Sequence, residues 1–136
     1  TAYEIRLSLV GSEMCIRDSI MNSPDDSQQQ QWLAEARRLG LHFEVCPTSN
    51  VHTGIAASVA AHPLRSMVEA GLSVSVSTDN RLMSGVTLSG ELAAAHAENG
   101  VSQERLGQMM RDAANASFLP ANIRAAALVS LGAWNN

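Results

Sequence analysis

Two short runs of alternating apolar and polar residues, 41–46 and 72–77, constrain the fold of this chain more than any other feature. Each run is typical of a β-strand, because successive side chains of a strand point to opposite faces of its sheet. Between them, a segment from Pro63 to just before Gly71 has apolar residues at helical spacing. A strand, a helix and a second strand form a βαβ unit, so the sequence predicts two parallel strands joined by a right-handed crossover.

Other segments also have the apolar periodicity of helices. They are residues 24–39, 86–98, 103–116 and 120–133. The stretch "PTSNVHTG", which follows the first strand, lacks that periodicity and is predicted to be a loop. The pattern therefore predicts an α/β fold. Two parallel strands alone leave both edges of a sheet unpaired, which indicates part of something larger.

The first 19 residues differ from the rest of the chain in composition and in the pattern of their apolar residues. The stretch "TAYEIRLSLVGSEMCIRDS" holds the only Tyr, and the Ala-rich amphipathic segments begin after it. Its alternating apolar residues fit a short strand, but the stretch also resembles translated sequencing-adaptor sequence joined to a truncated gene. We therefore expect residues 1–19 to be a non-native leader and residues 20–136 to hold the fold.

Composition excludes several classes of function. The net charge is −4, and the nine basic residues are all Arg and are spread thinly, so no basic stripe is available for nucleic acid or an anionic membrane surface. No apolar run approaches the roughly 20 residues of a membrane span, and no secretory signal is evident. Cys15 and Cys46 are too few for a disulfide framework or a metal knuckle. We expect a cytoplasmic protein with no nucleic-acid or membrane partner.

Polar residues follow both predicted strands directly. The tripeptide "TSN" occupies 48–50 and the tripeptide "TDN" occupies 78–80. Ligands of parallel α/β folds bind beyond the carboxyl ends of the strands, where loops converge. Asp79 is in register with the serines of the second strand and opposite its valines, so it is expected to point away from the helices that cover those valines. A carboxylate there can bind a cation or a substrate.

Spacing alone favours a structural interpretation of the same residues. An Asp-Asn pair at a strand end usually forms an Asx turn or a helix cap. None of the four histidines has the spacing of a zinc site, and each is expected to be structural or solvated; they are His42, His52, His62 and His96. Of these, His62 precedes a proline and suits a capping position. Cys46 is expected to be a small buried residue, and Glu44 is a possible strand-borne base.

Longer stretches carry a resemblance that spacing does not. "LHFEVCPTSNVHTG" followed by "HPLRSMVEAGLSVSVSTDNRLMSGVTLSGEL" closely resembles the carboxyl-terminal part of the adenosine deaminases, zinc enzymes of the amidohydrolase superfamily. The likeness covers about residues 39–119, and the helical tail also fits. It implies an α/β chain that forms the carboxyl-terminal portion of a TIM-type (β/α)8 barrel, with its last two strands and terminal helices.

The resemblance also implies roles for two residues. Asp79 matches the aspartate that joins three histidines in a zinc site holding one Zn²⁺ per full-length subunit. Asn80 matches a neighbouring position, usually a second aspartate, that hydrogen-bonds the purine ring near N7. The departure matters because an amide both donates and accepts hydrogen bonds, whereas an ionised carboxylate only accepts. The implied reaction is hydrolytic deamination of adenosine to inosine and ammonia, in purine salvage.

Other parts of the family pattern have no counterpart in this sequence. They are the H-x-H pair, the H-A-G-E segment and the G-H-G histidine. A barrel of this type needs about 250 residues, so we expect this chain to be a fragment that is inactive alone. Two alternatives stay open: a deaminase of another purine or aminopurine nucleoside, and a non-catalytic small α/β binding domain.

Overall fold

A computed structural model describes residues 26–132, so the expectation for residues 1–19 lies outside the described part of the chain. Its two short strands are flanked and separated by helices, as the sequence pattern predicts. In chain order the elements are α1 (Asp26–Arg38), β1 (His42–Val45), α2 (Pro47–His52), α3 (Leu64–Glu69), β2 (Ser73–Val76), α4 (Arg81–Ser84), α5 (Leu88–Ala97), α6 (Gln103–Ala116) and α7 (Ala121–Gly132).

The sheet confirms the predicted βαβ unit. Strands β1 and β2 pair in parallel, with His42 opposite Ser73 and Val45 opposite Val76. The backbone N–H of Ser77 donates to the Val45 carbonyl at 2.8 Å, which carries the pairing one step past β2. Paired residues of parallel strands share a face, so each face of this sheet combines side chains from both strands.

One face of the sheet forms the core. Val45 and Val74 are each 1 % exposed and pack among apolar side chains from the surrounding helices. Those side chains include Leu33 and Ala36 of α1, Leu64 and Met67 of α3, Ala95 of α5, and Leu106 and Met109 of α6. The valines of the alternating strands therefore point towards the helices, as the strand pattern predicts.

Two short helices differ from the sequence prediction. Residues 47–52 were predicted to be part of a loop but form α2, which begins at Pro47 because proline is pre-set for the first turn of a helix. Helix α4 was not predicted. Asn80 caps its start, and Gly85 ends it with a left-handed φ of 67°. Both helices are too short for apolar periodicity to reveal them.

The terminal helices match their predicted positions closely. Helix α6 has the predicted bounds, and Ser102 caps it by accepting a hydrogen bond from the Arg105 backbone N–H at 3.3 Å. Helix α7 packs against α6 and leaves Ile123 and Val129 exposed. Within residues 26–132, every helix is too short or too polar to cross a bilayer.

Candidate functional site

A cleft of about 780 Å³ runs along the polar face of the sheet and past the carboxyl ends of both strands. Strand residues and the segments that follow the strands line it together. Its polar lining includes His42, Glu44, Cys46, Ser49, Asn50, Thr53, Ser75, Ser77 and Asp79. The fold thus brings residues of both predicted polar tripeptides, Ser49, Asn50 and Asp79, to one concave surface, where a ligand of a parallel α/β protein is expected.

Asp79 reaches this cleft through an unusual backbone conformation. Its φ is 52°, in the left-handed region that Asp tolerates better than most residues. The side chain is exposed, and its Oδ2 accepts a hydrogen bond from the Ser49 hydroxyl at 2.8 Å. Asp79 lines the same cleft as Ser75 and Ser77, as strand parity predicts, although β2 has already ended and a turn completes the placement.

Asn80 caps helix α4. Its Oδ1 accepts hydrogen bonds from the backbone N–H groups of Leu82 at 3.1 Å and Met83 at 3.2 Å. The capping interpretation is therefore confirmed for Asn80. The cap engages the amide oxygen, so the amide nitrogen Nδ2 is the part of this side chain with hydrogen-bonding capacity to offer elsewhere.

The end of β1 is held by buried polar contacts. Ser49 and Asn50 are 9 % and 6 % exposed. The Asn50 side-chain amide lies 2.8 Å from Nε2 of His62, whose Nδ1 accepts a hydrogen bond from the Leu64 backbone N–H at 3.1 Å. His62 thus acts as a cap at the start of α3, as its place before Pro63 predicts. A neutral ring that accepts at Nδ1 carries its proton on Nε2, which favours the Asn50 amide oxygen as the atom facing it.

The other histidines also make structural contacts or lie at the surface. His42 Nδ1 lies 2.8 Å from the Ser73 hydroxyl, and its Nε2 lies 2.9 Å from the Ser75 hydroxyl. Burial lowers the pKa of His42, and the nearby charges of Asp112 and Glu44 oppose that effect. His96 donates from Nδ1 to the Val101 carbonyl at 2.7 Å. His52 is an exposed residue at the end of α2 rather than in a loop.

Cys46 is unsuited to act as a nucleophile. Burial raises the pKa of its thiol, and the negative charges of Asp79, Glu44 and Glu91 raise it further, with only a hydrogen bond to Ser77 acting in the opposite direction. The thiolate is the reactive form of cysteine, so this environment suppresses reactivity. Cys46 was expected to be a small buried residue, but it is only partly buried, because its side chain lines the cleft. Glu44 lines the cleft from an exposed position on β1.

Sequence reasoning missed two buried polar residues that support the site. Glu91 is 1 % exposed, and its Oε2 accepts a hydrogen bond from the Thr48 backbone N–H at 3.2 Å. Asn99 is 6 % exposed, and its Nδ2 donates to the carbonyls of Val59 at 2.9 Å and His62 at 2.8 Å. In sequence, Glu91 resembles an ordinary acidic residue in a first helical turn, and Asn99-Gly100 resembles an ordinary helix stop.

The side chains that line this cleft could supply one ligand of a zinc site but not the complete site. Zinc in proteins usually has three or four side-chain ligands. Among the described residues no group of three His, Cys, Asp or Glu side chains is placed to hold a metal ion. Asp79 fits as one member of such a set, because it is exposed at the cleft and Ser49 engages one of its two carboxylate oxygens, Oδ2.

Comparison with known proteins identifies the family. The family model described as adenosine deaminase matches residues 20–133. This chain belongs to the adenosine deaminase family. An adenosine deaminase from a Mycobacterium species is 36 % identical over 118 residues, which cover 86 % of this chain and 33 % of that protein. The chain therefore spans about a third of the length of this relative.

Solved structures of deaminases share the fold. An adenine deaminase from Arthrobacter aurescens superposes with a TM-score of 0.74 at 21 % identity, covering 79 % of this chain and 33 % of that one. The apo N6-methyl-AMP deaminase from Arabidopsis thaliana superposes with a TM-score of 0.68 at 21 % identity, covering 80 % and 32 %. The α/β arrangement with a small parallel sheet is consistent with part of a barrel of this type.

Proposed function

We propose that the complete protein deaminates adenosine hydrolytically, giving inosine and ammonia, with one Zn²⁺ per subunit. In this proposal β1 and β2 are the last two strands of a (β/α)8 barrel, and the described residues supply one side of its active site. The observation that carries the proposal is Asp79, a carboxylate fixed by Ser49 at the mouth of a parallel strand in a chain of this family.

Asp79 is the proposed metal ligand. Zinc held there would supply an activated water near neutral pH and stabilise negative charge on the attacking oxygen. The Ser49 hydroxyl fixes Oδ2, which restricts rotation of the carboxylate and leaves Oδ1 for the metal. Oδ2 retains a second lone pair, so it can also accept a hydrogen bond from the attacking water and orient it.

Asn80 is the proposed substrate contact. Its amide oxygen caps α4, so the contact available to a purine is donation from Nδ2. Ring nitrogen N7 of a neutral purine is an acceptor in the major-groove pattern of adenine, which matches an amide donor. Asn80 would therefore orient the base by donating a hydrogen bond rather than by accepting one.

A second candidate is a deaminase that prefers a related purine. The solved structures with this fold include an adenine deaminase and an N6-methyl-AMP deaminase, so the fold accommodates more than one purine substrate. The proposed contact from Asn80 would engage one edge of a base and would leave the rest of the substrate to other parts of the complete protein. Substrate preference among adenosine, adenine and N6-methyl-AMP is therefore part of the test.

The test is a deamination assay on the protein encoded by the continuous source gene. The purified, zinc-loaded protein is expected to convert adenosine to inosine, followed by the change in ultraviolet absorbance, with zinc measured by elemental analysis. Adenine and N6-methyl-AMP are assayed alongside. Faster turnover of either would favour the second candidate. Failure to deaminate any purine would defeat both and favour a non-catalytic binding domain.

A further inference from the structure

Glu91 is a buried carboxylate with incomplete hydrogen bonding. It is 1 % exposed in the first turn of α5. Its Oε2 accepts from the Thr48 backbone N–H, and its Oε1 has no hydrogen-bond partner among the described residues. Burial of a carboxylate with so few partners is unfavourable. Interaction with the dipole of α5 does not require this burial, since an acidic residue in a first helical turn is also stabilised when it is exposed.

The contact of Glu91 lies at the start of α2. Pro47 is the first residue of that helix and has no backbone N–H, so Thr48 carries the first free donor there. The side chain of Cys46, which precedes the helix, makes no capping hydrogen bond. Glu91 takes that role from a helix more than 40 residues away in sequence. It thereby ties the first turn of α2 to α5.

The residue after Thr48 is Ser49, which donates the hydrogen bond to Asp79. Two hydrogen bonds and one peptide step therefore link Glu91 to the carboxylate of Asp79, with lengths of 3.2 Å and 2.8 Å. The Asn50–His62 contact holds the same helix one residue further on. Glu91 and His62 thus restrain α2 on either side of Ser49.

We propose that Glu91 is a positioning residue for Asp79, acting through the start of α2 and Ser49. This inference rests on the proposed function, because it assigns to Glu91 the task of fixing a zinc ligand. Removing a residue that hydrogen-bonds a metal ligand commonly changes metal affinity by about 10- to 100-fold. Ser49 is that residue here, and Glu91 supports the segment that carries it. Glu91 touches neither metal nor substrate, so its effect must pass through the geometry of Ser49.

The first experiment measures how strongly Glu91 restrains helix α2, and it does not depend on zinc. Hydrogen exchange of the complete protein is followed by mass spectrometry in parent, Glu91→Ala and Glu91→Gln. Glu91→Ala is expected to speed exchange across residues 47–53, whereas Glu91→Gln should stay near the parent because its amide oxygen still accepts from Thr48. Glu98→Ala, at the exposed end of the same helix, is the control. Unchanged exchange at 47–53 in Glu91→Ala would overturn the proposal.

The second experiment measures the effect on the metal. The zinc dissociation constant, obtained by competition with a chelator, is expected to rise about 10-fold or more in Glu91→Ala and in Ser49→Ala. Because both variants act through the same contact with Asp79, the dissociation constant of the double variant should rise by much less than the product of the two single fold-changes. Effects that simply multiply would show that Glu91 acts independently of Ser49, and would overturn the proposal.

Two further features keep the test decisive. If Glu91→Ala does not fold, Glu91→Asp replaces it, because its shorter side chain withdraws the carboxylate from the Thr48 backbone N–H. Zinc affinity should then fall in Glu91→Asp and be retained in Glu91→Gln. The reverse order of zinc affinities would overturn the proposal. A parent protein that neither binds zinc nor deaminates purines would defeat the proposed function. The exchange pattern would still support or overturn the anchoring of α2 by Glu91.

Discussion

The end of β1 and the end of β2 carry similar polar tripeptides but are built differently. After β1, Ser49 and Asn50 are buried and fixed by contacts from other segments. After β2, Asp79 and Asn80 are exposed, and Leu82 of the following helix is 96 % exposed. The comparison indicates that the buried end of β1 supports the exposed end of β2, because the Ser49 hydroxyl holds the Asp79 carboxylate at the cleft.

This difference between the two strand ends predicts that the largest effect on function comes from the exposed residues after β2. Asp79→Ala in the complete protein should remove zinc and nearly all turnover, because the metal loses a charged ligand. Asp79→Asn is the matched variant, since Asn also tolerates a left-handed backbone and can accept from Ser49. It should retain parental stability while losing activity. Zinc content, turnover and thermal unfolding check this, and normal zinc content and turnover in Asp79→Ala would remove the site assignment.

The same comparison predicts the largest stability effect on the buried side, which is the end of β1 with the buried residues that support it. Asn99 belongs to this side because it hydrogen-bonds the carbonyl of His62, which in turn contacts Asn50. Asn99→Ala removes hydrogen bonds to the carbonyls of Val59 and His62 and from the backbone N–H of Arg65. Leaving these groups unpaired should lower the free energy of unfolding by about 3 kcal/mol. Denaturant unfolding measures the change, with Asn115→Ala on the exposed surface of α6 as the control. Equal stability of the two variants would contradict the buried side's structural role.

A smaller effect on both properties is expected at Asn80. Asn80→Ala removes the cap of α4 and should cost about 1 kcal/mol or less of stability. It should also raise the KM for adenosine more than it lowers kcat, because the proposed contact orients the base. Asn80→Asp preserves a good cap and should be tolerated in stability. Steady-state kinetics with denaturant unfolding separate the two effects; a loss confined to kcat would argue against a substrate contact.

The smallest effect concerns pH and the sheet beneath the cleft. Burial lowers the pKa of His42 below its ordinary value of 6.5, so the unfolded chain binds a proton more readily than the folded one. Stability should therefore fall as pH decreases below 6.5, and the fall should be shallower in His42→Gln. Unfolding free energies measured across this range test it. Identical slopes for parent and variant would show that His42 does not contribute.

Sequence periodicity accounts for much of this fold because the core follows simple rules. The valines of β1 and β2 alternate with polar residues and point to the helices, and α6 has a cap and an apolar face that define its bounds. Short helices escape such reasoning: α2 and α4 are each under two turns long and depend on Pro47 and Asn80.

The candidate site was predicted less completely, for a physical reason. Asp79 and Asn80 follow a strand directly, so position alone brings them to notice. Glu91 and Asn99 act on backbone groups more than 30 residues away, and nothing in their local sequence distinguishes them from common surface residues. A resemblance to a family indicates which residues contact metal and substrate. It does not indicate which buried residues, such as Glu91 and Asn99, hold the surrounding backbone in place. The expectation for residues 1–19 stays a prediction.

The Ser49–Asp79 hydrogen bond has a consequence for the order of folding. It joins residues 30 positions apart, on segments that approach only when β1 and β2 have paired. Closing so long a loop costs entropy before the contact repays it. The carboxylate is therefore expected to gain this orientation only once the two strands have paired. A metal ion bound by Asp79 would then depend on strand pairing that is already in place.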